Sequence, residues 1–163
     1  MLVTFTRTGK RRYRVSIEGP GLEPLHMEPA PGYDDRLPHD AAHFIVENEL
    51  PILNGIFGQI AAGGTAKSFR SEELKKPRKK KRQGEAMANA NRADMLLSEY
   101  AVYAAQSRWE NHDIIPDTKI SAADIARIIA RFEDFAFKWR KVAVGDSVSL
   151  EWKPSVKSRS RRR

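Results

Sequence analysis

Cysteine is absent from this 163-residue chain, so disulfide bonds, thiolate metal ligands and cysteine nucleophiles are excluded. Long apolar runs are absent as well, since no stretch approaches the roughly 20 apolar residues that a membrane-spanning helix needs. Residues 1–7 alternate and soon become basic, unlike a secretory signal. We therefore expect a cytoplasmic protein in which any metal is held by histidine, carboxylate or amide groups.

Common enzyme signatures are missing too. The chain has no G-x-G-x-x-G, no phosphate-cradling loop ending in G-K-[ST] and no G-x-S-x-G nucleophile elbow. The sequence therefore gives no sign of a dinucleotide-binding enzyme, a P-loop enzyme or an α/β-hydrolase.

The net charge of +8 is concentrated in two short runs. Residues 75–82 carry seven positive charges and no acid, and residues 157–163 carry five more. Without these two runs the rest of the chain has a net charge of −4. Such runs attract phosphate backbones without reading sequence, although no aromatic residue lies within them to stack on bases. The candidate nucleic-acid-binding residues are Lys75, Lys76, Arg78, Lys79, Lys80, Lys81 and Arg82. The alternative is a solvated linker and tail that aid solubility.

The chain length suits one domain, and strand patterns occur at both of its ends. Residues 2–7 and 11–18 alternate apolar with polar around a turn at Thr8-Gly9-Lys10, as in a hairpin, and residues 147–152 alternate again. A further short extended piece is indicated at 22–27. We predict an α+β fold in which a three-stranded antiparallel sheet, formed by the hairpin and the C-terminal strand, packs on about four helices.

Four helices are predicted, over 38–50, 52–62, 86–109 and 121–139. The last has the clearest helical period, and Ser121 with Asp124 resembles a capping box at its start. In the third helix the expected core contacts are Leu96, Leu97, Tyr100, Tyr103 and Ala104. Residues 65–85 are polar and basic, so we predict a disordered linker that interrupts a single domain of residues 1–156, followed by a disordered tail.

The first predicted helix contains His39-Asp40-x-x-His43. Residues four apart lie on one helical face, about 6 Å apart along the axis, so both imidazoles can approach one ion. The spacing is similar to the zinc-protease H-E-x-x-H helix, in which the acidic residue acts as general base. We therefore predict a divalent metal, zinc or similar, on His39 and His43, with Asp40 as the base or as a hydrogen-bond partner that orients a ligand.

The same motif resembles the H-D-x-x-H metal motif of the accessory protein family of coenzyme Q biosynthesis, over about 25 residues. That family has an all-helical fold and a glutamate twelve residues after the second histidine. Here that position is Gly55, and Gln59 follows one turn later, in a context similar to the family's Gly-Glu-Ile. The resemblance implies metal binding, with Gln59 as a third ligand. The Leu-Pro-His-Asp and Gly-Gln segments also resemble an uncharacterised bacterial protein family, which implies no function.

Two histidines do not complete a zinc site, which needs three or four ligands. The sequence does not choose among the candidates for a third ligand, which are Gln59, Asp34, Asp35, Glu49, His26 and His112. The alternative interpretation is structural: His39 caps or hydrogen-bonds, His43 is a satisfied half-buried histidine, and Asp40 suits the positive end of the helix dipole.

Two functions are therefore expected. The first is a small metal-binding protein, a metal-dependent hydrolase or lyase that uses His39, His43 and Asp40. The second is a non-enzymatic binding module whose basic linker and tail contact nucleic acid or another polyanion. The position of the two imidazoles separates them, since a carboxylate or amide that converges on both would favour the metal site.

Overall fold

A five-stranded antiparallel sheet forms one layer of the fold in this computed structural model, which describes residues 1–64, 66, 68–71, 91–112 and 120–154. The strand order is β4-β3-β2-β1-β5. The strands are β1 (Leu2–Gly9), β2 (Arg12–Glu18), β3 (Leu25–Met27), β4 (Arg70–Ser71) and β5 (Ser147–Glu151).

The predicted hairpin and the return of the C-terminal strand are confirmed. Phe5 of β1 lies opposite Val15 of β2 on one side and Val148 of β5 on the other. The predicted three-stranded sheet is wrong in strand number, because β3 and β4 extend the sheet beyond β2. The extended piece predicted at 22–27 contains β3 but was not assigned to the sheet, and β4 has two residues, too few for alternation to identify it. Strand β4 lies inside the range that the sequence assigned to the linker.

Four helices of the described residues complete the α+β fold: α1 (His39–Glu49), α2 (Ile56–Ala61), α3 (Arg92–Trp109) and α4 (Ala122–Trp139). Each lies within a predicted helix. Ser121 is the N-cap of helix α4, and its hydroxyl accepts a hydrogen bond from the Asp124 amide, as the capping box predicted. Its apolar face covers the sheet, with the Phe135 ring 5.4 Å edge-on from Phe5.

Most of the core contacts predicted for α3 are wrong. Leu96, Leu97, Tyr100 and Tyr103 are exposed, and only Ala104 is buried as predicted. The face of α3 that packs against α1 and α4 carries small side chains instead, namely Ser98, Ala101, Val102, Ala105 and Ser107. The buried residues of α3 therefore follow a helical period in the sequence, but they are small, and the large apolar residues lie on the exposed face. Small residues let helix backbones approach closely.

Helix α1 is enclosed by the rest of the fold. Seven consecutive residues from Ala41 to Glu47 are buried, so this helix has no solvent-facing stripe over nearly two turns. It contacts α2, α3 and α4, and its Phe44 ring stacks edge-on against Trp152, just after β5. The polar side chains of this segment therefore need partners inside the protein.

None of the helices in the described residues is both long and apolar enough to cross a membrane. The candidate nucleic-acid-binding run at 75–82 and the tail at 157–163 lie outside the described residues, so their predicted disorder stays a prediction.

Candidate functional site

The chain enters α1 through a tight turn at Asp34. One carboxylate oxygen of Asp34 accepts hydrogen bonds from the backbone N–H groups of Arg36 and Leu37, at 2.7 and 2.9 Å. The His39 amide then donates to the Gly32 carbonyl, at 3.1 Å. Gly32 has a φ of +68°, and a Cβ there would lie 2.6 Å from His39 Cβ. This turn requires glycine for both its conformation and its space, and it positions the predicted metal motif.

His39 is exposed at the first residue of α1. It lines a shallow cleft of about 250 Å³ whose other walls are Gly32, Tyr33, Asp34, Leu37, Gln106, Trp109 and Glu110. The His39 ring meets the buried His43 ring edge to face, with 4.6 Å between ring centroids. The two histidines are therefore neighbours on one face of α1, as predicted, but one is exposed and the other is enclosed.

Asp40 turns away from the histidines toward the sheet. The Tyr13 hydroxyl of β2 donates to an Asp40 carboxylate oxygen and also lies 2.5 Å from the Pro31 carbonyl. Burial raises the pKa of Asp40, while the bond from Tyr13 lowers it. Burial and the nearby carboxylate also raise the pKa of Tyr13 well above its ordinary value. This pair fastens α1 to β2, and the predicted role of Asp40 as a base on metal-bound water has no contact to support it.

His43 is 3% exposed and belongs to a buried hydrogen-bonded chain. Its Nδ1 lies 2.9 Å from the Ser98 hydroxyl of α3, and that hydroxyl donates to Glu47 Oε1 at 3.0 Å. The serine has one hydroxyl hydrogen, and when Glu47 is ionised the serine donates this hydrogen to the carboxylate. The serine oxygen must then accept from Nδ1–H of His43, which leaves the lone pair of this imidazole on Nε2.

Ser98 is not placed as a nucleophile. In a serine–histidine–acid triad the imidazole lies between the other two groups and takes the serine proton. Here the serine lies between the imidazole and the acid, is buried, and directs its proton to the carboxylate. The chain from His43 to Glu47 therefore joins α1 to α3 and orients the imidazole.

Glu47 is fully buried at the end of this hydrogen-bonded chain and caps α2. Its carboxylate accepts from the amides of Ile56, Phe57 and Gly58, at 3.0, 2.8 and 3.4 Å, in addition to Ser98. The first amides of a helix have no partner within it, so this carboxylate replaces the missing N-cap side chain of α2.

Gly55 leaves the space that the Glu47 carboxylate occupies. A Cβ at Gly55 would lie 2.3 Å from the Glu47 carboxyl carbon, and Gly55 itself has an ordinary φ of −69°. The glycine is therefore required for close approach and not for a left-handed conformation. Position 55 is also where the coenzyme Q accessory family has its acid, so the departure from that motif has a structural reason here.

Burial moves the pKa values of Glu47 and His43 in opposite directions. It raises that of Glu47 to about 7, against the lowering effect of its hydrogen bonds. Burial and the neighbouring His39 lower that of His43 to about 4. Glu47 therefore contributes stability below its unfolded pKa that is lost as the pH rises toward 7. His43 contributes stability above its unfolded pKa that is lost as the pH falls toward 4. Between about 4.5 and 6.5 the two effects oppose each other.

The Nε2 atom of His43 is buried and has no hydrogen-bond partner among the described residues. A carboxylate oxygen of the half-exposed Glu99 lies 3.6 Å away. Gln59, the predicted third ligand, directs its amide nitrogen to the Asn54 carbonyl at 2.8 Å and to Met95 Sδ at 3.5 Å. Within the part of the chain that the structure describes, no three His, Asp or Glu side chains group so as to hold a metal ion.

No protein-family model, curated protein or solved structure matches this chain. The likeness to the coenzyme Q accessory family thus remains a resemblance of one short motif.

Sequence reasoning missed Ser98, Glu99 and the capping role of Glu47. Glu47 continues the four-residue spacing of His39 and His43, but about 12 Å of helix rise separates it from His39, so the spacing alone does not indicate a shared site. The structure joins Glu47 to His43 through Ser98, which lies 55 residues beyond His43 in the chain. A link through a small side chain on a distant helix leaves no local pattern. The pair of Glu47 and Gly55 was the one local feature of the sequence that could have indicated the capping role.

We expect Gly55→Ala to destabilise the protein by about 1–3 kcal/mol, because the added methyl group displaces the Glu47 carboxylate from the α2 amides. Urea unfolding followed by circular dichroism measures the change. Gly9→Ala is the matched control, since a Cβ there meets its nearest atom at 3.7 Å. Equal stability of the two variants would contradict the assigned role of Gly55.

We expect the His43 imidazole to stay neutral down to a pH of about 4, well below the ordinary histidine value. Two-bond nitrogen–proton NMR spectra should show Nδ1–H at pH 8, where Glu47 is ionised. Ser98→Ala should remove this tautomer preference while the protein remains folded. An Nε2–H form in the wild type at pH 8 would show that the hydrogen-bonded chain runs in the other direction.

Proposed function

We propose that this protein is a non-enzymatic binding module for a polyanion, with nucleic acid as the partner and residues 75–82 and 157–163 as the contacts. The partition of charge carries the proposal: twelve positive charges lie in these two runs, against a net charge of −4 elsewhere. Each cation that neutralises a phosphate releases a counterion, so such runs favour nucleic acid strongly at low salt.

The geometry of α1 supports a binding function over a catalytic one. Asp40 is bonded to a core tyrosine, and His43 and Glu47 share a buried chain that ties three helices together. Of the three residues that the predicted hydrolase or lyase would use, Asp40 and His43 therefore have internal hydrogen-bond partners, whereas His39 is exposed. This supports the structural interpretation of the H-D-x-x-H motif.

We expect binding of a labelled DNA duplex of about 20 base pairs to weaken steeply with salt, and deletion of residues 157–163 to reduce the slope of log Kd against log salt by up to about four. Fluorescence anisotropy measures both. A tail with the same residues in permuted order is the control and should keep the wild-type slope, because the contact is electrostatic. Binding that survives removal of both runs unchanged would refute the proposal.

A divalent metal on His39 and His43 is the second candidate, favoured by the lone pair on His43 Nε2 and the nearby Glu99 carboxylate. The orientation of His43 by Ser98 resembles the outer-shell hydrogen bond that fixes metal-ligating histidines. Gln59 would coordinate through its amide oxygen, because its amide nitrogen donates to the Asn54 carbonyl. The metal would be zinc or a similar ion.

For this second candidate, we expect untagged protein incubated with zinc, manganese or iron to retain one equivalent of metal after desalting, and His43→Ala to abolish retention. Elemental analysis by mass spectrometry measures the stoichiometry. His112→Ala is the control, because His112 is an exposed histidine paired with Glu110 outside this helix. Metal-free wild-type protein after all three incubations would remove the candidate.

A further inference from the structure

The turn end of the β1–β2 hairpin carries a third concentration of positive charge, besides the two basic runs. Five of the eight residues from Arg7 to Arg14 are arginine or lysine, and none is acidic. Lys10, Arg11 and Arg12 at the turn are exposed. The backbone of this segment belongs to the β1–β2 hairpin, so the Cα positions of its cations are fixed relative to one another.

The hairpin extends past its neighbours in the sheet. Pairing of β2 with β3 reaches Val15, and pairing of β1 with β5 reaches Thr6, whereas β1 and β2 pair with each other as far as Gly9 and Arg12. The turn therefore projects as a two-stranded ribbon beyond the rest of the sheet. Backbone bonds from Arg7 to Gly145 and Asp146 hold the base of this ribbon.

Arg7 joins the ribbon to the end of α4. Its guanidinium donates to the Trp139 carbonyl at 3.2 Å and lies 4.8 Å from the Trp139 ring centroid. The next two residues, Arg140 and Lys141, are exposed at this same end of the molecule. The Lys141 ammonium lies 3.7 Å from the centre of the exposed Phe137 ring. We call Lys10, Arg11, Arg12, Arg140 and Lys141 the hairpin-end surface.

The cations of the hairpin-end surface form no ion pair with an acid of the described residues, whereas neighbouring cations do. Arg14 pairs with Glu28, and Lys138 pairs with Asp134. Two acids lie at this end as well: Asp35 accepts from the Tyr33 hydroxyl, and the backbone carbonyl of Asp146 accepts from the Arg7 amide. Five cations against these two acids leave a net positive charge on two adjoining elements, which makes a local positive field.

We infer that the hairpin-end surface binds the phosphate backbone of double-stranded nucleic acid, as a structured contact beside the two basic runs. Three of its five cations are arginine, whose planar fork matches phosphate with two hydrogen bonds. A two-stranded ribbon also has the width that the major groove of DNA admits. The ribbon turn, Thr8-Gly9-Lys10-Arg11-Arg12, has no large apolar side chain that would enter a lipid bilayer.

This inference rests on the proposed polyanion function, and one set of variants tests them separately. The first variant carries Lys10→Gln, Arg11→Gln and Arg12→Gln, and the second, on another element, carries Arg140→Gln and Lys141→Gln. The control carries Arg92→Gln, Arg131→Gln and Lys153→Gln, which removes three charges elsewhere. Circular dichroism of each variant first confirms that it is folded.

We expect the first variant to reduce the slope of log Kd against log salt for a DNA duplex by about 2 to 3. It should also weaken binding about tenfold or more at about 0.1 M salt, where contacts to phosphate dominate the affinity. The second variant should reduce the slope by about 1 to 2, and the control should bind like the wild type. If both hairpin-end variants bind the duplex with the same affinity and salt slope as the control, the inference is overturned. The proposed function stands in that case if wild-type binding still depends on the two basic runs.

Two further outcomes also decide the matter. Wild-type protein that does not bind the duplex even at low salt overturns both proposals. Vesicles of phosphatidylcholine with about 30% phosphatidylserine provide the other polyanionic surface. If the first variant loses vesicle binding but keeps duplex binding, the hairpin-end surface binds membranes. That outcome would overturn nucleic acid as its partner.

Discussion

The buried carboxylate of Glu47 is the interaction on which the arrangement of the helices depends. A charge removed from water is costly unless hydrogen bonds replace its hydration. Glu47 receives three backbone amides from α2 and one hydroxyl from α3. These donors come from segments before and after the basic linker, so one side chain on α1 ties together elements that the sequence separates widely.

The same constraint explains why the H-D-x-x-H motif is weak evidence for catalysis here. Helix α1 is surrounded by the sheet and three helices. Its buried polar side chains each have a hydrogen-bond partner or a nearby carboxylate inside the protein. Only His39, at the exposed first turn, faces a cleft. A motif of this spacing arises readily when a buried helix must satisfy several polar groups, because residues four apart share a face.

The sequence predicted the fold where local patterns were long enough, as in the hairpin, β5 and α4. It missed β4, which is too short to alternate, and it left the extended piece at 22–27 out of the sheet that β3 joins. It also failed for α3, where large residues were mistaken for the buried face. The candidate site was predicted only as a pair of neighbouring histidines. The link from His43 through Ser98 to Glu47 depends on how three helices pack, and that information is not local. The sequence shows the charged hairpin turn. That this turn lies next to Arg140 and Lys141 is seen only from the contact of Arg7 with Trp139.

The contact between Glu47 and Gly55 has an evolutionary consequence. Any side chain at position 55 collides with the carboxylate, and any shortening of Glu47 leaves three amides without an acceptor. Neither position can change alone at little cost, so relatives of this chain should retain both residues or replace both together. An acid followed eight positions later by glycine therefore distinguishes this architecture from families that place a metal-binding acid where Gly55 lies.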